Sequence, residues 1–465
     1  MITYLALSPH PPIIIPEVGG DRTTEVNSTI DAMQSMAQEL LLSSPDTIVF
    51  LTPHGNVFSD CITCLIEPQL SGSLENFGRP DIETSHPNDL EFIQQLTIRA
   101  KKRGISLVGI NLAIAERHHL NAQIDHGILV PLYYLKKAGM GDKPIAAISV
   151  GCLDNVELYA LGKLIQETAD CLGIRAAVVA SGDMSHRLKD EGPYDYHPDG
   201  SRFDLLVKDL LSRGDVQAIL DIPESLRKNA GECGYNSIVI MLGTLDGYDI
   251  NSNIFSYEGP FGVGYLTAGI TPGERGPSIL AKLDAIQAAK TEKRRSSESL
   301  PVRWARMTLE SYIKTGKRPE LPKEMDSLLY DRAGAFVSIK KHGQLRGCIG
   351  TFMPAYENLA MEIRNNALAA GLDDPRFPVV EEAELPSLVF SVDILAEPEG
   401  CKREHLDPKR YGVIVSSNKG RRGLLLPDLD GVDTVEQQLQ IALQKGGISP
   451  RESYSIQRFE VKRFT

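Results

Sequence analysis

The sequence predicts an α/β N-terminal domain with a mostly parallel sheet flanked by helices, followed by a smaller α+β C-terminal domain. Three observations carry that expectation. Strand-like and helix-like segments alternate through the first 270 residues, which is the pattern of βαβ units. The runs TYLAL, TIVFL and IRAAVVA are apolar almost throughout, as strands buried on both faces are. Beyond residue 300 the texture changes to strands, turns and separate helices. The chain has 465 residues, more than a single core of roughly 250–300 residues accommodates.

Taken in order, the strand 3–7 opens the chain and a helical pattern covers 24–42. The strand 47–51 follows, then CITCLI, in which Cys61 and Cys64 form a C-x-x-C. Zinc sites need a second such pair and redox motifs a helix start, and neither is evident, so both cysteines read as core. Helical patterns at 88–103, 156–172 and 201–213 alternate with strands at 105–110, 144–150 and 174–180. An apolar helix at 237–245 precedes late edge strands at 254–257 and 264–268. The first domain is therefore 1–270. The turn residues of TPGERGP and the polar run KTEKRRSSE mark 271–298 as a linker flanked by a helix. The second domain, 299–465, begins with a helix at 301–315. It continues with strands at 334–340 and 345–351 about a turn at 341–343, a helix at 356–370, strands at 388–395 and 412–416, and a helix at 435–446.

The bulk properties exclude several function classes. A net charge of −12 argues against a nucleic-acid backbone as the main partner, because such binders carry basic faces. No apolar run approaches the ~20 residues that span a bilayer, and MITYLAL lacks the basic segment and cleavage site of an export signal. Seven cysteines are an odd number, too few for a disulfide framework in so long a chain, so a reducing cytoplasm is expected. The sequence leaves room for a homo-oligomer.

Eight of the ten histidines precede residue 200. His10, in SPHPP, and His54, in TPHG, each stand just past a buried strand, where proline and glycine force a turn. Ligands sit at the carboxyl ends of parallel strands, so the pair suits a metal site of two imidazoles and one further donor. His186, in SGDMSHR, follows the third strand and suits a general acid and base. Asp183 beside it would orient that ring or cap a following helix. His126, in DHGILVPL, stands where Gly127 permits close approach to a substrate oxygen. The pair His118–His119 is weaker, since consecutive helical residues do not share a face. The third ligand comes from AGECGY: Glu232 offers a hard oxygen and Cys233 a soft sulfur, and both cannot point the same way. A third reading makes Glu232 a helix-start charge and Cys233 core.

SPHPP, TPHG, DHGILVPL and SGDMSHR, in that order, resemble the class III extradiol ring-cleavage dioxygenase B-subunit (LigB-type) superfamily and its Memo relatives. The resemblance implies His10 and His54 as metal ligands, His186 as the acid–base group and His126 as the substrate-side histidine. It implies Fe(II), a small aromatic substrate and dioxygen, and hence an oxidoreductase. The third ligand departs from the pattern. The dioxygenases carry glutamate there and the Memo-like proteins cysteine followed by glycine, as in Cys233–Gly234. Another divalent metal or copper, and a binding protein without oxygenase activity, thus stay open.

In the second domain LRGCIGT, supported by DDPRFP and LLLP, resembles the AMMECR family over roughly 299–465. The fusion is similar to the AmmeMemoRadiSam system protein A type, which implies a radical-SAM protein as partner. Within LRGCIGT, Arg346 suits a clamp for a carboxylate or phosphate. Cys348 would be a nucleophile only beside a cation, with His342 or His405 as a distant base, and a structural turn is the competing reading.

Overall fold

The computed structural model of the protein describes residues 1–465 except 342 and 430. Two compact units are present, Met1–Gln287 and Ala288–Thr465. The strands of the first are β1 (Ile2–Ser8), β2 (Thr47–Thr52), β3 (Ile62–Leu65), β4 (Gln69–Leu74), β5 (Arg79–Pro87), β6 (Leu107–Ile110), β7 (Ile145–Ser149), β8 (Ala176–Ser181), β9 (Tyr248–Glu258) and β10 (Tyr265–Arg275). Eight of them form one sheet in the order β6-β3-β7-β2-β8-β1-β10-β9, while β4 and β5 pair as a separate hairpin.

That sheet is mixed rather than mostly parallel. β7-β2-β8-β1 run parallel, as do β3 and β6, but β3 opposes β7 and β10 opposes both β1 and β9. The physical reason is connection length. Only residues 259–264 join β9 to β10, far fewer than the dozen or more a parallel crossover needs, so these strands must turn back on each other. The parallel centre behaves as its apolar runs require. Every residue of β2, β7 and β8 is buried, and alternate side chains feed two cores. Leu5, Leu7, Val49, Leu51 and Val178 face one; Tyr4, Ala6, Ile48, Phe50 and Val179 face the other. Helices Asn27–Leu42, Leu90–Arg103, His126–Lys137, Asn155–Leu172 and Tyr235–Gly243 cover these faces. Cys64 is buried within β3 and its thiol is pushed up to about 12 by that burial, as a core cysteine should be.

Residues 271–298, expected as a linker flanked by a helix, hold the end of β10 and the helix Ile279–Ser296, which takes in most of the polar run. In the second unit the strands are β11 (Ala335–Lys341), β12 (Gln344–Gly350), β13 (Leu388–Leu395), β14 (Glu399–Gly400), β15 (Tyr411–Ser417), β16 (Arg422–Leu425) and β17 (Tyr454–Phe464). They make an antiparallel sheet, β12-β11-β13-β17-β15-β16, with β14 on β17. Helices Leu300–Thr315 and Leu359–Leu372 pack on it through Trp304, whose indole N–H donates to the Ala360 carbonyl at 2.8 Å.

Candidate metal centre

Register alone carries three chain segments to one place. Leu7 and Leu51 both lie beside Ala180, and Ser8 beside Ser181. Residues just beyond β1, β2 and β8 therefore leave the sheet at a common edge. His10 is buried there, and its Nε2 lies 2.9 Å from His54 Nε2. His126 joins them from the first turn of its helix, the ligand atoms of the three rings lying within 4.8 Å of one another. Asp125 caps that helix by accepting the Gly127 N–H at 2.7 Å, and it also accepts the Thr52 hydroxyl at 2.7 Å. The cap thus ties the His126 helix to the last residue of β2.

Each ring is held by neighbours. His10 Nδ1 lies 2.8 Å from Ser181 Oγ. With Nδ1–H donated there, Nε2 keeps its lone pair for the pocket. Asp183 neither orients His186 nor caps a helix, because residues 182–197 are irregular. It accepts the His10 backbone N–H at 3.0 Å instead, and its second oxygen stands 3.8 Å from His10 Nε2. Burial pushes this carboxyl up to about 7. Burial also lowers the imidazoles, His126 and His186 to about 4; His10 is lowered well below its ordinary value by burial first and then by its neighbouring rings. His54 is lowered by burial with Asp125 opposing. Every one of these shifts favours the neutral ring, whose nitrogen lone pair is available to a cation.

The two candidate third donors part company. Glu232 turns its carboxylate to the Tyr235 backbone N–H at 2.7 Å, at the start of helix Tyr235–Gly243. Cys233 places its sulfur 3.7 Å from both His10 Nε2 and His186 Nε2, and accepts the Asp183 N–H at 3.3 Å. Burial, with Asp183 next in effect, pushes this thiol well up, so only a cation at the sulfur would make it a thiolate. A tight crossing sets this geometry. A Cβ on Gly182 would lie 2.1 Å from the Gly234 Cα, so two bare backbones meet where SGDMSHR and ECGY pass. Beyond the sulfur, the His186 ring stacks on Tyr194 at 5.9 Å. His118 and His119 are exposed and stand apart from the cluster.

The donor set fits a transition-metal ion. Two nitrogens each about 2.0–2.1 Å from one ion, at 90–109°, would be about 2.8–3.4 Å apart, and His10 and His54 are 2.9 Å apart. The sequence missed Ser181, Thr52 and Asp125 as supports. Their signal was a hydroxyl residue ending each strand and an aspartate preceding DHG's histidine.

In the second unit Arg346 and Cys348 lie on β12. Arg346 is not free to clamp a ligand: its guanidinium grips Glu384 at 2.9–3.0 Å and the Pro378 carbonyl at 2.8 Å. Cys348 receives the Ser338 hydroxyl at 3.1 Å, and its N–H is held by Asp374 at 2.9 Å. Arg376 pairs with Asp374 and reaches the Cys348 carbonyl at 3.1 Å. His405 lies on a surface turn beside Glu404, and His342 is outside the described residues.

A mixed α/β sheet with imidazoles and a cysteine gathered at the ends of its parallel strands defines an α/β protein with a histidine-rich cluster whose donors fit a metal ion. The comparisons place it more narrowly. The model of the catalytic LigB subunit of aromatic ring-opening dioxygenase matches residues 4–268, and the AMMECR1 model matches 302–464. The chain belongs to the LigB family and carries an AMMECR1 domain. It is 40% identical over 459 residues to a protein of Clostridium acetobutylicum, covering 98% of both chains. A Thermotoga maritima protein matches at 52% over 168 residues, 35% of this chain and 95% of its own length. Among solved structures, protein PH0010 of Pyrococcus horikoshii is 32% identical across 35% of this chain and 88% of its own, with a TM-score of 0.33. Among the described residues no helix is long and apolar enough to cross a membrane.

Proposed function

We propose that the LigB-family unit is a metal-dependent oxidoreductase centre in which His10, His54 and the Cys233 sulfur hold the ion. His126 stands beside them on the substrate side. The observation that carries this is the division of labour in AGECGY: Glu232 satisfies a helix N–H while Cys233 faces two imidazoles. Imidazole and sulfur together suit copper or zinc as well as iron. An ion bound there supplies Lewis-acid and redox chemistry toward a coordinated oxygen donor. The protein's own part is positional and protic. His186, neutral at pH 7, takes a proton from a substrate hydroxyl and returns it later. His126 directs a ring nitrogen at the same substrate, and Tyr194 fixes the plane of His186.

A second reading is an extradiol ring-cleaving dioxygenase using Fe(II), dioxygen and a catecholic substrate, with Glu232 as third ligand. The family match over 4–268 favours it. It requires Glu232 to leave the Tyr235 N–H. The test is metal content after loading with iron, copper or zinc, in wild type, Cys233→Ala and Glu232→Gln, with oxygen uptake on a catechol panel. Metal lost only with the cysteine change supports the first reading. Metal lost only with the glutamate change, together with oxygen uptake, replaces it by the second. For the AMMECR1 unit we propose docking rather than catalysis, since its own chain occupies Arg346. A radical-SAM protein is the partner to test by co-purification with the full chain.

A further inference from the structure

The rings of the histidine cluster are not equally supported. His10 is buried, whereas His54, on the turn that follows β2, keeps part of its side chain exposed. The His54 ring is held by the other two imidazoles. Its Nε2 lies 2.9 Å from His10 Nε2, and its face stacks on the His126 ring at 4.4 Å between centroids, 28° from parallel. Its backbone N–H donates to the Thr52 hydroxyl at 3.2 Å. A donor carried on a turn keeps its place only if the turn itself is fixed.

Residues 53–56 are fixed in three ways. A Cβ on Gly55 would lie 1.9 Å from Ser149 Oγ, so the bare backbone lies against the end of β7. The Asn56 carbonyl accepts the Thr63 hydroxyl at 2.7 Å, which ties the turn to β3. The Asn56 side chain makes the third tie. Its Nδ2–H donates to the Asn121 carbonyl at 2.7 Å, and its Oδ1 accepts the Asn121 N–H at 2.9 Å. One amide thus satisfies both backbone groups of a residue 65 positions away, on the loop that leads into the His126 helix. Using donor and acceptor together on one partner leaves that amide a single orientation.

The far end of this staple is firm. Asn121 Oδ1 accepts the Gln123 N–H at 2.9 Å. Ile124 N–H donates to the Ser71 carbonyl of β4 at 3.0 Å, and a Cβ on Gly72 would lie 2.4 Å from the Ile124 carbonyl oxygen. Phe77, in the turn between β4 and β5, brings its ring to 5.2 Å from that of His126. The loop is therefore braced by the hairpin as well as by Asn56.

We infer that Asn56 is the positioning residue of His54: its amide staples the His54 turn to the His126 loop and so sets these two rings against each other at the metal centre. The inference rests on the metal-site reading for what the rings hold, and on the hydrogen bonds alone for the staple. Groups that orient metal ligands from outside the ligand set are worth about 10- to 100-fold in affinity. Asn56 acts through a turn, which puts it at the lower end.

The test compares the full chain as wild type, Asn56→Ala, Asn56→Asp and Val57→Ala, the last an exposed neighbour. In metal-free protein, side-chain NMR reads the His54 ring protons, which the stacked His126 ring shifts through its ring current. Asn56→Ala moves them toward the values of an unstacked histidine. Asn56→Asp, which still accepts the Asn121 N–H, moves them less, and Val57→Ala leaves them in place. In Co(II) titrations Asn56→Ala weakens binding about tenfold and displaces the visible d–d bands, which report ligand geometry, while Val57→Ala matches wild type. A tie with a structural role alone would lower the melting temperature and leave both signals in place. Unmoved His54 resonances in Asn56→Ala, or wild-type Co(II) affinity and bands in that variant, overturn the inference. Wild-type protein that binds no Co(II) counts against the metal-site reading instead, and the ring shifts then decide the staple by themselves.

Discussion

Gly182→Ala perturbs the centre without touching any donor atom. The added methyl would sit 2.1 Å from the Gly234 Cα, against about 3.5–4.0 Å for an ordinary carbon contact, so the two backbones must part by more than about 1 Å. The same two segments share the Gly234 N–H to Asp183 carbonyl bond at 3.0 Å and the Asp183 N–H to Cys233 sulfur bond at 3.3 Å. Separation therefore withdraws the sulfur from its position 3.7 Å from His10. Overpacking of this kind costs about 1–3 kcal/mol, which lowers the melting temperature by about 2–12 °C in a unit of this size. Metal sites tolerate only about 0.2 Å of misplacement, so affinity should fall about 10- to 100-fold. Chelator competition on the purified chain measures the affinity and calorimetry the stability. Gly400→Ala, with nothing within 4 Å of its Cβ, is the neutral comparison. A folded Gly182→Ala protein with lowered melting temperature but wild-type metal affinity would refute the claim that this crossing positions Cys233.

Further outcomes follow from single contacts. Ser181→Ala removes the partner 2.8 Å from His10 Nδ1 and should weaken metal binding about tenfold in the same chelator titration. His186→Gln should keep metal but abolish turnover of any substrate found by oxygen uptake; retained turnover would remove His186 from proton transfer. Asp204 is buried, accepts the Ser185 N–H and the Tyr257 hydroxyl at 2.8 Å each, and is pushed up to about 7 by burial. Because its folded value lies above its ordinary 3.8, its contribution to stability is complete below about pH 4 and lost as pH rises through 7. Asp204→Asn should flatten the fall in stability between those limits, as read by denaturant titration. In the second unit Arg346→Lys keeps the charge but loses the paired contacts to Glu384, and should destabilise that unit by about 1–2 kcal/mol in calorimetry.

Much of the site was legible because it is written in local chemistry. A buried strand followed by proline or glycine and histidine fixes where an imidazole leaves a sheet, and His10 and His54 obey that rule. His126 was legible as a residue but not in its support, since the Asp125 cap reaches across to Thr52, 73 residues away in the chain. Asp183 was misread for the same reason. Its partner is the His10 N–H, 173 residues distant, and no local pattern encodes that bond. Arg346 reads as a ligand clamp until Glu384 arrives from a different turn.

By itself the sequence determined the two-part organisation, the apolar parallel centre and the imidazoles at its carboxyl edge, because periodicity and turn chemistry act over a few residues. Tertiary structure alone decided three further matters. The antiparallel entry of β10 beside β1 and of β3 beside β7 made the sheet mixed. The Gly182–Gly234 crossing put the Cys233 sulfur toward the rings. The Tyr235 N–H claimed Glu232, because an unpaired donor at a helix start is costly and the nearest carboxylate satisfies it. Which of two adjacent side chains faces a pocket depends on where the backbone enters, and that is set by packing against distant glycines rather than by the residues themselves.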